Sequence, residues 1–217
     1  MREVGDVTIL INNAGVLFTR GVLQHSERDI RKTYDVNVLA HYWIFHAFLP
    51  KMIENNRGHV VGVCSMAGLV SLRNIVPYSS SKFAVRGLMQ GLENEVFEMT
   101  NGMSKVRLKF SLFQLLKLFL NHIQIKFTTI YPFYVANGFF KPNLMNIKFK
   151  FLTPLLKTND VVTAIISAQR KGFVEVTVPQ HLYYLDKILK LLPLKAYTLF
   201  GQFSGTTMES DVDFKKL

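Results

Sequence analysis

Cysteine is almost absent: the 217-residue chain has one, Cys64. A single thiol makes neither an intramolecular disulfide nor a multi-cysteine zinc site. Cys64 reads as a buried small residue, not a reactive thiol. The six histidines show no ligand spacing, and His41 and His46, five apart, do not share a helix face. No metal site is expected. Seven prolines and 13 glycines are too few for a collagen-like chain or a linker. No uncharged apolar run reaches about 18 residues, so no membrane-spanning helix is expected. The opening MREVGDVTIL carries acids and no long apolar stretch, so it does not read as a signal peptide. A cytosol-facing location is the default expectation. Acids are scarce too: 15 against 26 Lys and Arg, a formal net charge of +11. That balance favours anionic partners such as a phosphorylated cofactor, an acidic membrane surface or nucleic acid. The charges are dispersed and no recognition motif accompanies them, which sets nucleic acid aside.

What is present is a folded domain's composition, 49% apolar and 19% charged. Residues 7–11, VTILI, form a short β-branched run with no polar face, as a buried parallel strand would. The turn Asn12-Asn13-Ala14-Gly15 ends it. Ser26 offers an N-cap, with Glu27 and Asp29 in the first turn. A long helix is predicted from there toward Asn55, with a break near Pro50. Residues 59–64 read as a second strand. Pro77 opens another helix. Residues 125–131 form a third strand closed by Pro132. Thr158-Asn159-Asp160 caps a helix that Gly172 stops. Residues 173–178 form a fourth strand closed by Pro179. A last amphipathic stretch spans 181–200. Strands alternating with helices of this length imply crossover connections and a doubly wound parallel α/β sheet. Ligands of such sheets sit outside the carboxyl ends of the strands.

Three groups of polar residues fall at those ends. They are the Asn12–Gly15 turn, Ser65 after the second strand, and Tyr78 with Lys82 on the following helix. Residues four apart share a helix face. An ammonium beside a phenol favours the phenolate, so the tyrosine pKa is expected to drop from about 10. Tyr78 then becomes an acid/base for neutral pH. Ser65 is placed to hold a substrate oxygen. The set suits hydride chemistry at an alcohol or ketone carbon, with a nicotinamide carrying the hydride. Spacing alone is weak evidence: Tyr183 and Lys187 repeat it. That second pair reads as an amphipathic helix with a solvated lysine.

What separates Tyr78 is its company. Asn12 to Gly15, then Asn37, then Ser65 thirteen residues before Tyr78, then Tyr78-x-x-x-Lys82, stand in order. Together they resemble the short-chain dehydrogenase/reductase family, and the resemblance covers nearly the whole chain. It implies a Rossmann-like fold and NAD or NADP as cofactor. It also implies Tyr78 as acid/base, with Lys82 binding the nicotinamide ribose and lowering the tyrosine pKa. Ser65 would orient the substrate carbonyl, and Asn37 would hold a water of the proton relay. Asn13, Ala14, Gly15, Pro132, Val135 and Asn137 would contact the cofactor. Asn137 stands where the family has threonine, and Phe133 where it commonly has glycine. Residues 128–140 and 178–195 are similar to a branch that includes epidermal retinol dehydrogenases and 17-beta-hydroxysteroid dehydrogenase type 11. Those proteins act on retinoids, steroids or other lipid alcohols at the endoplasmic reticulum or lipid droplets. A lipid-like substrate, a membrane or droplet surface facing the cytosol, and a homodimer are therefore expected partners.

Two features depart from the family. The glycine-rich phosphate loop and the first strands that precede Asn12–Gly15 in the family have no counterpart in these 217 residues. With them go the amides that cradle a pyrophosphate and the residue that selects NAD or NADP. The expectation is one partial Rossmann-like domain over 1–217, belonging to a longer product and holding a cofactor weakly on its own. Residues 106–124, VRLKFSLFQLLKLFLNHIQ, read as an insertion, 11 of 19 apolar with three basic residues and no acid. Joining Lys105 to Ile125 restores the family's helix-to-strand junction. A retained short intron and a surface amphipathic helix both account for it. Residues 181–217 read as an amphipathic segment for substrate or membrane. The competing function is an inactive truncated fragment or pseudoenzyme that associates with membranes or partners.

Overall fold

The computed structural model describes residues 5–101, 125–136, 145–146, 154–193, 195 and 207–210. Strand β1 (Ile9–Asn12) leads through a 3-10 turn (Val22–Gln24) to helix α1 (Glu27–Tyr34). A π-helical turn (Asp35–Leu39) joins α1 to α2 (Ala40–Glu54). Then come β2 (Gly58–Val63), a 3-10 turn (Met66–Gly68), α3 (Val76–Asn101) and β3 (Ile125–Pro132). The pair β4 (Met145–Asn146) and β6 (Thr207–Met208) lies apart from the main sheet. Helix α4 (Thr158–Lys171), strand β5 (Glu175–Val178) and helix α5 (His181–Leu189) lie between them in sequence.

The main sheet is parallel throughout, in the order β1-β2-β3-β5. This is the α/β, Rossmann-like arrangement expected from the alternation. β2 is buried at every position and β3 at all but Lys126, because helices cover both faces of a parallel sheet. One core joins Phe45, Leu49 and Met52 of α2 and Val85 and Met89 of α3 to Val60, Phe127 and Tyr131. The opposite face packs Val161 and Ala168 of α4 on Val61, Ile130 and Val178. At the terminal strand β1, Ile9 and Ile11 are about half exposed, and Leu10 packs on the first core.

The local signals behave as their chemistry requires. Ser26 Oγ accepts the Asp29 N–H at 3.1 Å and Asp29 returns the bond to the Ser26 N–H at 3.2 Å, a reciprocal cap on α1. Gly172 stops α4 in the left-handed conformation, φ 67°. Several expected boundaries move. The first long helix is interrupted at Asp35–Leu39, and α2 runs on through Pro50. Burial of Phe45, Leu49 and Met52 on both sides of Pro50 holds the helix across the lost hydrogen bond. The N-cap of α4 is Lys157, whose N–H donates to Asp160 at 2.9 Å. The fourth strand begins at Glu175, not residue 173, and the last helix stops at Leu189. The insertion at 106–124 lies outside the described residues.

Candidate active site

β1, β2 and β3 end side by side. A cavity of about 770 Å³ opens there. Its polar floor is Asn13, Ala14 and Gly15 after β1, Ser65 after β2, and Tyr78 and Lys82 of α3. Pro132, Phe133 and Val135 close it beyond β3. Tertiary structure thus brings together eight of the residues singled out in the sequence. Asn137 lies outside the described residues.

α3 reaches the site because the turn after β2 lets it approach closely. Ser65 caps that turn, its Oγ accepting the Ala67 N–H at 3.1 Å. A Cβ on Gly68 would sit 2.6 Å from Cys64 Sγ and 2.9 Å from the Lys82 carbonyl oxygen. Only glycine allows this contact between turn and helix. Cys64 Sγ donates to that same Lys82 carbonyl at 3.2 Å. Burial pushes its thiol up to about 11, so it is a packing residue and not a nucleophile.

The Ser65 side chain hydrogen-bonds the Tyr78 side chain. Lys82 lies 5.7 Å from the Tyr78 ring centroid, and its Nζ donates to the Val63 carbonyl at 3.1 Å. Tyr78 and Lys82 are 5% and 3% exposed. This burial overturns one expectation. Desolvation pushes the Tyr78 phenol well above its ordinary range, outweighing the Ser65 hydrogen bond that works to lower it. Burial also depresses the pKa of Lys82 itself. Removing a phenolate from water costs more than a lysine engaged with a backbone carbonyl returns. Tyr78 in this form is a protonated phenol, ready to donate.

Asn37 does not line the cavity. It is fully buried in the π-helical turn. Its Oδ1 accepts the Val16 N–H at 2.8 Å, and its Nδ2 donates to the Val16 carbonyl and Ser81 Oγ, each at 3.0 Å. It ties the loop after β1 to the helix carrying Tyr78. The π-helical turn lets the Asn37 side chain enter there, a local widening common near functional sites.

His41 of α2, structural by its sequence spacing, packs behind the site. It is buried, with Asn12 Nδ2 at 3.4 Å from its Nδ1. Burial first, and the Lys82 charge second, lower its pKa to about 4. Sequence reasoning missed the aliphatic wall on α4. Thr158, Val161, Val162, Ile165 and Ile166 all face the cavity. Their spacing was visible as a helical stripe, but a stripe of this kind reads equally as core. Indeed Val161 is buried in the core while Val162 and Ile166 are 45% exposed. The described residues contain no group of three or more His, Cys, Asp or Glu placed to hold a metal ion.

A phenol, a serine hydroxyl and a lysine at the strand ends, beside aliphatic walls, can pass a proton to or from an oxygen held against the phenol. Comparison with known proteins agrees with that geometry. A family profile described as short chain dehydrogenase matches residues 1–103. Human 17-beta-hydroxysteroid dehydrogenase 13 is 32% identical over 214 residues, covering 99% of this chain and 63% of that protein. Mouse epidermal retinol dehydrogenase 2 is 33% identical over 204 residues, covering 94% of this chain and 59% of that protein. The solved structure of ElxO with NADP bound superposes with a TM-score of 0.62 at 20% identity, covering 81% of this chain and 68% of that one. These matches support a short-chain dehydrogenase, similar to the branch of the retinol and 17-beta-hydroxysteroid dehydrogenases. It spans less than two thirds of the length of these curated relatives.

Proposed function

We propose that this chain carries the catalytic half of an NAD- or NADP-dependent oxidoreductase that interconverts a lipid alcohol and its carbonyl. The observation that carries the reading is the Ser65–Tyr78 hydrogen bond in one cavity with Lys82. Relatives named for retinol and hydroxysteroids support the substrate class, as do the aliphatic walls of the cavity. The residues present fit the nicotinamide end of the cofactor. Val162 and Ile166 offer apolar contact to a flat ring, while Lys82 and Asn13 would hold ribose hydroxyls. Bound there, the cofactor would supply or accept the hydride. Ser65 positions the substrate oxygen against Tyr78. Tyr78 delivers its phenolic proton to that oxygen in the reducing direction and takes a proton from the alcohol in reverse. Asn37 keeps the loop and α3 in register; with its amide spent on Val16 and Ser81, the expected water-holding role does not fall to its side chain.

The test follows nicotinamide fluorescence in the protein expressed from its full transcript, with retinol and a hydroxysteroid offered with either cofactor. Turnover that disappears in Tyr78→Phe supports the reading. Turnover that survives in Tyr78→Phe, or none with either alcohol class, overturns it. Failure to bind the cofactor saturably favours the non-catalytic alternative.

A further inference from the structure

Tyr78 and Lys82 begin a stripe on α3 that the chemistry above uses only in part. Every fourth residue continues it, through Arg86 to Gln90, so the four share one face of the helix. The two further side chains converge on one acid of β5. Arg86 Nε lies 3.4 Å from Glu175 Oε1, and Gln90 Nε2 donates to the same oxygen at 3.5 Å. Tyr131 of β3 donates its hydroxyl to that oxygen too, at 2.7 Å. Glu175 is thus tied to α3 and to β3 at once, with its side chain 15% exposed. The ion pair also reaches the scaffold of the site. Cys64, whose thiol donates to the Lys82 carbonyl, lies in the field of both Arg86 and Glu175. Beneath the helix, Val85 and Met89 belong to the apolar core. Apolar burial has no direction, and a methionine adapts to small slides. Asn37 pins α3 at Ser81, but a rod held at one point can pivot. Glu175 supplies a second pin about 10 Å further along the helix. A largely buried ion pair adds little net stability; what this one adds is direction, because three side chains meet one atom.

We propose that Glu175 is a positioning residue, which fixes the line of α3 over the sheet and so the place of Tyr78 and Lys82 in the cavity. The inference rests on the reading of those two as the reacting groups. Glu175 acts on them through Arg86, Gln90 and Tyr131. A misplacement of about 1 Å at a reacting group costs about a hundredfold in rate, so even a small pivot of α3 is felt.

The experiment compares Glu175→Ala, Glu175→Gln and Met52→Ala in the protein expressed from its full transcript. Met52 is buried in the core and does not line the cavity, so its truncation destabilises without touching the site. Glu175→Ala removes all three contacts. It is expected to lower kcat about tenfold, with KM for alcohol and cofactor within about twofold of wild type. Glu175→Gln keeps an acceptor for Tyr131 and gives up the charge, for a loss of about threefold. Met52→Ala should lower the unfolding midpoint at least as far and keep kcat within about twofold. A second readout is the ring-carbon NMR signal of Tyr78, assigned by its loss in Tyr78→Phe. It should move in both Glu175 variants and stay in place in Met52→Ala. A fall in kcat no larger than that of Met52→Ala makes Glu175 merely structural and overturns the proposal. So does a rise in KM with kcat unchanged. If Glu175→Ala does not fold, Glu175→Gln decides alone. If the wild type turns over neither alcohol, the catalytic reading fails by itself. An unmoved Tyr78 signal in Glu175→Gln then overturns the positioning, and a moved one upholds it.

Discussion

Tyr78–Lys82 and Tyr183–Lys187 have the same chemistry at the same spacing on two helices. In both, the ammonium sits over the ring, at 5.7 Å and 5.1 Å. The first pair is buried at the ends of parallel strands, with Lys82 donating to the Val63 carbonyl and Tyr78 bonded to Ser65. The second lies on a surface helix, with Lys187 exposed. Burial makes the difference. It raises the proton affinity of Tyr78 and lowers that of Lys82. Local motif geometry is thus shared, and the shifted proton affinities of Tyr78 and Lys82 come from their burial.

The comparison breaks most sharply in turnover. Tyr78→Phe is expected to reduce alcohol oxidation by about 10²–10⁴-fold. Tyr183→Phe should stay within about twofold, and steady-state rates for the two variants decide it. Asn37→Ala comes next. It leaves the half-buried Val16 N–H and carbonyl without their Asn37 partner and empties a fully buried position, and should destabilise by about 1–3 kcal/mol in urea unfolding.

Third, Lys82→Met leaves the Val63 carbonyl unpartnered. A loss of about 1–3 kcal/mol is expected, against less than about 0.5 kcal/mol for the exposed Lys187→Met. The same Lys82→Met change should raise the His41 pKa, since the Lys82 charge helps to depress it. Imidazole titration by NMR checks this.

The remaining contrast is in pH dependence. His41 is neutral in the fold down to about 4, while an unfolded histidine binds its proton near 6.5. The unfolded chain therefore holds more protons between those values. Stability is complete above the unfolded pKa and falls as pH drops through the window, by at most about 1.4 kcal/mol per pH unit from this group. His41→Gln should flatten that part of the unfolding profile.

Much of the site was legible because its residues carry unusual local patterns. An Asn-Asn-Ala-Gly turn, a serine thirteen residues before a tyrosine, and a lysine four after it stand out without a fold. The parallel sheet was legible from buried runs such as residues 59–64 and 125–132. The α4 wall was not, because Val161 and Val162 are alike in sequence, and only the neighbours bury one and leave the other about half exposed. The interruption at Asp35–Leu39 was not legible either. Pro50 was the visible breaker, and packing of Leu49 and Met52 overrode it.

By itself the sequence determined the family resemblance, the alternation of strand and helix, and which serine, tyrosine and lysine belong together. These depend on residue identity and spacing along the chain. Tertiary structure decided the protonation of Tyr78, the neutrality of His41, the bonding of Asn37 and the convergence of Arg86, Gln90 and Tyr131 on Glu175. Each of these depends on what surrounds a group in space, because desolvation and hydrogen bonding are set by neighbours far away in the chain.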